Sequence, residues 1–165
     1  MDNERIMRRA LELACLSYNE WETPVGCVIT KDKEIVGEGR NRRETSKNAL
    51  AHAEIEAIND ACRNLGGWRL WQCELFVTLE PCPMCAGAII NSRIIKVYFS
   101  AYDKKNGACG SVTNLFEIGF THQPLLEGGL LEEESSDMLR RFFMDLRTYK
   151  ANHKALFQNS VDKTL

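Results

Sequence analysis

The sequence predicts an α/β fold with three layers, α/β/α, around a central mixed sheet of five strands. Two observations carry this. Short strand-like runs alternate with segments of helical spacing along nearly the whole chain, and the alternation opens on a hairpin. The 165 residues are enough for one domain with its own core. Residues 1–150 are expected to form that single domain, and 151–165 to be the end of a helix or a tail.

The elements follow in order. Asp2 is a good N-cap, and Ile6, Ala10, Leu13, Ala14 and Ser17 recur at helical spacing behind it. "TPVGCVIT" reads as a strand, "KDKE" as a turn and "EIVGEGR" as a second strand. Residues 40–50 form a polar loop. From His52 the helical period returns, with Ile55, Ile58, Ala61, Cys62 and Leu65 expected on one face and Gly66-Gly67 ending the helix. "CELFVTL" is a third strand. Pro83 suits the first turn of the next helix, where its missing N–H costs nothing, and that helix should reach Ser92. "IIKVYFSAY" is the fourth strand, residues 103–111 a loop, and "HQPLLEGGLL" holds a short fifth strand. The last helix begins acidic at Glu132 to Glu134 and carries Leu139, Phe142, Phe143 and Leu146 on one stripe. It turns basic at Arg147, Lys150 and Lys154, a charge order that suits a helix dipole.

Composition narrows the function. No apolar run is long enough to span a membrane, and "MDNERIMRRALELA" is a charged helical start, not a signal peptide. The chain is therefore expected in the cytoplasm, with no membrane partner. There are seven cysteines, an odd number without disulfide-framework spacing, which fits thiols or metal ligands in a reducing compartment. The net charge of −2 predicts no nucleic-acid partner from bulk charge alone; such a partner would need a local basic patch.

"PCPMC" places Cys82 and Cys85 in a C-x-x-C pair. Alone, this fits a redox pair, half of a metal site or two small core residues. A second feature bears on the choice: "AHAEI", with His52 and Glu54 at a helix start. H-x-E, 27 intervening residues, then C-x-x-C preceded by proline matches the zinc-deaminase signature. His52, Cys82 and Cys85 supply three ligands to one zinc ion per chain, the number a catalytic site uses while keeping a fourth position for water. Helix N-termini stabilise the thiolates. Glu54, not needed as a ligand, is the candidate proton shuttle. His52 and Glu54 are two apart and point to different sides of a helix body, so both reach one site only if it lies off the helix start. Redox pairs sit in a thioredoxin-like βαβ context without a partnered H-x-E. A closed structural zinc site would need a fourth ligand, with His122, His153 and the other cysteines available. Cys15, Cys27, Cys62, Cys73 and Cys109 stand in apolar contexts and read as small core residues.

The chain resembles the tRNA-specific adenosine deaminase family, of cytidine-deaminase-like fold, from its first helix to about Arg147. The matching stretches are "PVGCVI", "GEGRNR", "AHAEI", "LFVTLEPCPMCAGAIINSRI", "DKKNGACGS" and "FFMDLR". The resemblance implies hydrolysis of the wobble adenosine to inosine in a tRNA anticodon loop, by a homodimer acting on the anticodon stem-loop. It implies that His52, Cys82 and Cys85 bind zinc, and that Glu54 moves protons. Asn41 would bind the flipped-out base, with Pro24, Val25 and Leu79 lining its pocket. Asp103 would hold a neighbouring sugar, and Phe143 and Arg147 would contact the loop from the last helix. Arg40, Arg42, Arg43, Lys47, Lys104, Lys105 and Arg147 are the candidates for a local basic rim. The chain departs from the family pattern at Trp21, Thr121 and, just before "AHAEI", Asn48-Ala49-Leu50, changes that spare the zinc site. Two rivals remain: a deaminase of a free base or nucleoside, and a silent zinc subunit that only binds RNA, which would lack the carboxylate that Glu54 supplies.

Overall fold

A computed structural model describes residues 2–161, with side chains through residue 154. The chain folds in the order α1 (Asn3–Asn19), β1 (Gly26–Lys31), β2 (Glu34–Arg40), α2 (Ala53–Leu65), β3 (Cys73–Leu79), α3 (Pro83–Ser92), β4 (Lys96–Ala101), β5 (Leu125–Gly128) and α4 (Glu132–Val161). The strands form a five-stranded sheet in the order β2-β1-β3-β4-β5. β1 is antiparallel to both β2 and β3, while β3–β4 and β4–β5 are parallel. The hairpin gives the antiparallel β1–β2 pair of the mixed sheet, and the α3 crossover and the long loop from β4 to β5 give the parallel part.

Strand alternation divides the core into two layers. Cys27, Ile29, Leu75, Val77, Val97 and Phe99 face α2 and α3. Val28, Phe76 and Tyr98 face the other way, onto Ile6, Met7, Ala10 and Leu13 of α1. α4 lies beside α1: Phe142 is buried edge-on against Tyr18, and the Tyr18 hydroxyl donates to Asp145. Asp2 caps α1 by accepting from Arg5 N at 2.8 Å, and Gly66 ends α2 in the left-handed region.

Four sequence expectations change. The buried side of α2 is Ala53, Glu54, Ala57, Ile58 and Ala61, while Leu65 is exposed and Ile55 and Cys62 are only half-buried. The cause lies in β2. A Cβ on Gly39 would stand 2.2 Å from Ala53 O, so helix and strand meet backbone to backbone, and only alanines fit between them. This roll also carries Glu54 inward. Cys15 is exposed, because it lies roughly 100° around α1 from buried Ala14. Phe143 leaves the core stripe and is exposed, whereas Phe142 stays buried. Finally, α4 runs past Lys154 to Val161, so Arg147 and Lys150 lie mid-helix and the dipole does not explain them. The acidic start at Glu132 to Glu134 does suit the dipole.

Candidate active site and metal centre

The site forms where α2 and α3 start. His52 is the N-cap residue of α2 and Cys82 that of α3, both with extended backbone (ψ 153° and 171°). Neither side chain caps its own helix, so each is free to point off the helix end. Pro83 opens α3, and Cys85 lies buried in its first turn. With α2 packed on α3, His52 Nδ1 stands 3.5 Å from Cys85 Sγ and 3.7 Å from Cys82 Sγ. All three donor atoms lie within 4.8 Å of one another.

These spacings fit zinc. Tetrahedral bonds of about 2.3 Å to sulfur and about 2.05 Å to nitrogen put N and S roughly 3.6 Å apart. Among the described residues the group has three members, as a catalytic zinc site requires. His122, a candidate fourth ligand for a closed site, instead meets Ile94 O at 2.6 Å, and His153 stacks on Tyr149.

The electrostatics suit a cation. A hydrogen bond from the Cys85 thiol lowers the Cys82 thiol to about 4, assisted by His52 and opposed by burial. The same bond, with burial, pushes Cys85 upward. The hydrogen bond to Cys82 raises His52. Glu54 sits one turn-position inside α2 and is 4% exposed; burial pushes its carboxyl up to about 7.

An open cavity of about 740 Å³ covers this centre. His52, Cys82 and Glu54 line it, together with Val25, Asn41, Leu79, Asp103 and Phe143 of the residues singled out from the sequence. Pro24 is buried beside Val25, outside the lining; Arg147 is exposed on α4, one turn beyond Phe143. Asn41 is fixed on the wall: its N donates to Val25 O at 2.9 Å, its Nδ2 to Thr23 O at 3.1 Å, and its carbonyl accepts from Ser17 Oγ at 2.8 Å. Of the candidate basic rim, Arg43, Lys104 and Lys105 line the cavity. Arg40 does not, being committed to Glu20 through two bonds of 2.8 Å. Sequence reasoning missed Thr23, Glu80, Tyr102, Asn106 and Leu139 in the lining. Glu80 could have been flagged, as a carboxylate two residues before a thiolate ligand.

Known proteins bear out this chemistry. The family described as the cytidine and deoxycytidylate deaminase zinc-binding region matches residues 1–101. A tRNA-specific adenosine deaminase of Bacillus subtilis (strain 168) is 45% identical over 149 residues, 90% of this chain and 92% of the relative. That of Haemophilus influenzae is 42% identical over 163 residues, 98% of this chain and 94% of its own length. A solved structure from work on A-to-I editing by tRNA:A34 deaminases at the wobble position superposes with a TM-score of 0.78 at 39% identity, covering 82% of this chain and 99% of the other. With zinc donors, buried carboxylate and cavity in place, the chain belongs to the tRNA-specific adenosine deaminase family of zinc-binding deaminases.

Proposed function

We propose that this chain hydrolyses the wobble adenosine of a tRNA anticodon loop to inosine and releases ammonia, with one zinc ion per chain. The observation that carries the reading is Glu54, a buried carboxylate lining the same cavity as the His52 and Cys82 donors, in a chain whose relatives bear that name.

Zinc held by His52, Cys82 and Cys85 supplies Lewis acidity that makes water a nucleophile near neutral pH. The rest falls to the chain's own residues. Water adds at C6 of the base, and Glu54 takes its proton. Glu54 passes that proton to the ring nitrogen N1. It then takes the second proton of the added oxygen and gives it to the amino group. The C6–N6 bond breaks, ammonia leaves and a carbonyl remains. Burial raises the Glu54 carboxyl, the direction that favours such exchange near neutral pH. Asn41, Val25 and Leu79 hold the flipped base, with Pro24 backing Val25. Asp103 engages a neighbouring sugar. Phe143 stacks on and Arg147 pairs with the flanking nucleotides, which keeps the target out of its stack.

The chain is further read as a cytoplasmic homodimer. Leu65, Trp68 and Trp71 stay exposed around the end of α2, a surface that suits self-association. No helix among the described residues is long and apolar enough to cross a membrane.

The test is incubation of the zinc-loaded protein with an anticodon stem-loop, scored for inosine. Inosine at the wobble position, with free adenosine barely touched, is expected. Efficient turnover of a free base or nucleoside with an untouched stem-loop contradicts the reading.

A further inference from the structure

The loop of residues 103–111 forms one wall of the cavity through Asp103, Lys104, Lys105 and Asn106. It has no sheet or helix to hold it. A single carboxylate lies beneath it. Glu80 follows β3, is 2% exposed, and takes four hydrogen bonds from the loop. Its Oε1 accepts from Cys109 N at 3.1 Å and Ser111 N at 2.9 Å. Its Oε2 accepts from Asp103 N at 3.0 Å and from the Ser111 hydroxyl. The loop closes over it so tightly that a Cβ on Gly107 would stand 2.3 Å from Glu80 Cδ. Asp103 in turn orders the exposed tip, its Oδ1 accepting from Lys105 N at 3.0 Å and Asn106 N at 3.1 Å.

The backbone of Glu80 is tied to the metal side. Its N donates to Ala101 O at 2.8 Å, and Pro81 alone separates it from the zinc donor Cys82. Pro81 O also accepts from Ala108 N at 2.8 Å. Glu80 therefore ties the loop to the segment that carries the chemistry, alongside the Pro81–Ala108 bond and the burial of Ala108 and Cys109 in the core.

We infer that Glu80 is a positioning residue for substrate selection: it fixes the wall at residues 103–106 against the zinc centre, so that the loop engages the nucleotide beside the target. This rests on the tRNA reading above. A neutral amide at this position cannot accept all four bonds, and its NH₂ would face backbone N–H groups. The wall should loosen while His52, Glu54, Cys82 and Cys85 stay in place.

Wild-type, Glu80→Gln and Ser111→Ala proteins should be compared by zinc content, by kcat and KM on the anticodon stem-loop, and by amide exchange at residues 103, 109 and 111. Glu80→Gln should raise KM roughly tenfold, as hydrogen bonds to a charged group imply, with kcat within about threefold and zinc unchanged. Ser111→Ala removes one donor of the four and should raise KM by about threefold. Wild-type KM in Glu80→Gln, or a fall in kcat at constant KM, overturns the inference. If Glu80→Gln does not fold, Ser111→Ala decides, and a wild-type KM there overturns it. Should wild-type protein form no inosine, the tRNA reading fails by itself. Amide exchange then judges the anchor: faster exchange at the three amides supports it, and unchanged exchange overturns it.

Discussion

The two walls of the cavity are built differently. On the metal side, His52 and Glu54 share one helix start and Cys82 and Cys85 another, each pair placed by a short spacing, and the packing of α2 on α3 brings the two helix starts together. On the opposite side the lining comes from loops near residues 41–51 and 102–111, held by contacts distant in sequence. Glu80 anchors one of these loops from 23 to 31 residues away. Buried Glu22 anchors the other, accepting from Thr45 N at 2.6 Å. The contrast teaches a division of labour. Bond-breaking groups stand at the starts of two packed helices, while part of the substrate side stands on loops pinned from below by carboxylates, joined by Leu79 of β3 and by Phe143 and Arg147 of α4.

The largest effect should come from breaking the metal side. Cys82→Ser or His52→Ala should lose most of the zinc, all but traces of the activity and part of the stability, since metal binding is linked to folding. Metal analysis checks this, and full zinc in either variant would sink the ligand assignment. Glu54→Ala comes next. It should keep zinc and lower kcat by roughly 100- to 10,000-fold, the usual contribution of acid–base catalysis. Near-normal turnover would remove Glu54 from its role.

Changes on the substrate side should be smaller and of another kind. Arg147 lies one turn beyond Phe143 and is exposed, so Arg147→Ala should raise KM for the stem-loop several-fold and leave zinc unchanged. It should also lower the salt dependence of binding by about one unit of slope, the signature of one phosphate contact. An unaltered slope would remove Arg147 from the RNA surface. The smallest effect belongs to Arg40. Already paired with Glu20, it should change stability by only about 0–1 kcal/mol on replacement by alanine, with the salt slope intact. A lower slope would return Arg40 to the basic rim.

The same division explains what the sequence made legible. The hairpin and the end of α2 at Gly66 rest on local periodicity and spacing, and the zinc triad on two short motifs, H-x-E and C-x-x-C, so they can be read in one dimension. So could the place of Glu54 beside His52 at the helix start, though not its burial, which comes from the roll of α2 and depends on Gly39 meeting Ala53 across two elements. Phe143 fitted a hydrophobic stripe, yet only the packing of α4 against Tyr18 decides that Phe142 turns inward and Phe143 does not. Glu80 carried no periodic signal, because its four donors come from a loop whose path the strand order sets. At the departure Asn48-Ala49-Leu50, Asn48 Oδ1 accepts from Leu50 N at 2.9 Å and forms the turn that leads into His52. Trp21, another departure, packs against Tyr149 of α4 with ring centroids 4.5 Å apart and planes tilted by 31°.

The separation of chemistry from recognition is tested most directly by titrating the zinc-loaded Glu54→Ala protein with the anticodon stem-loop and reading the dissociation constant by fluorescence anisotropy. If the metal wall reacts and the loop wall recognises, the variant binds the stem-loop with an affinity within about threefold of the wild-type KM while forming almost no inosine. A variant that retains zinc but loses stem-loop binding together with turnover would contradict the separation.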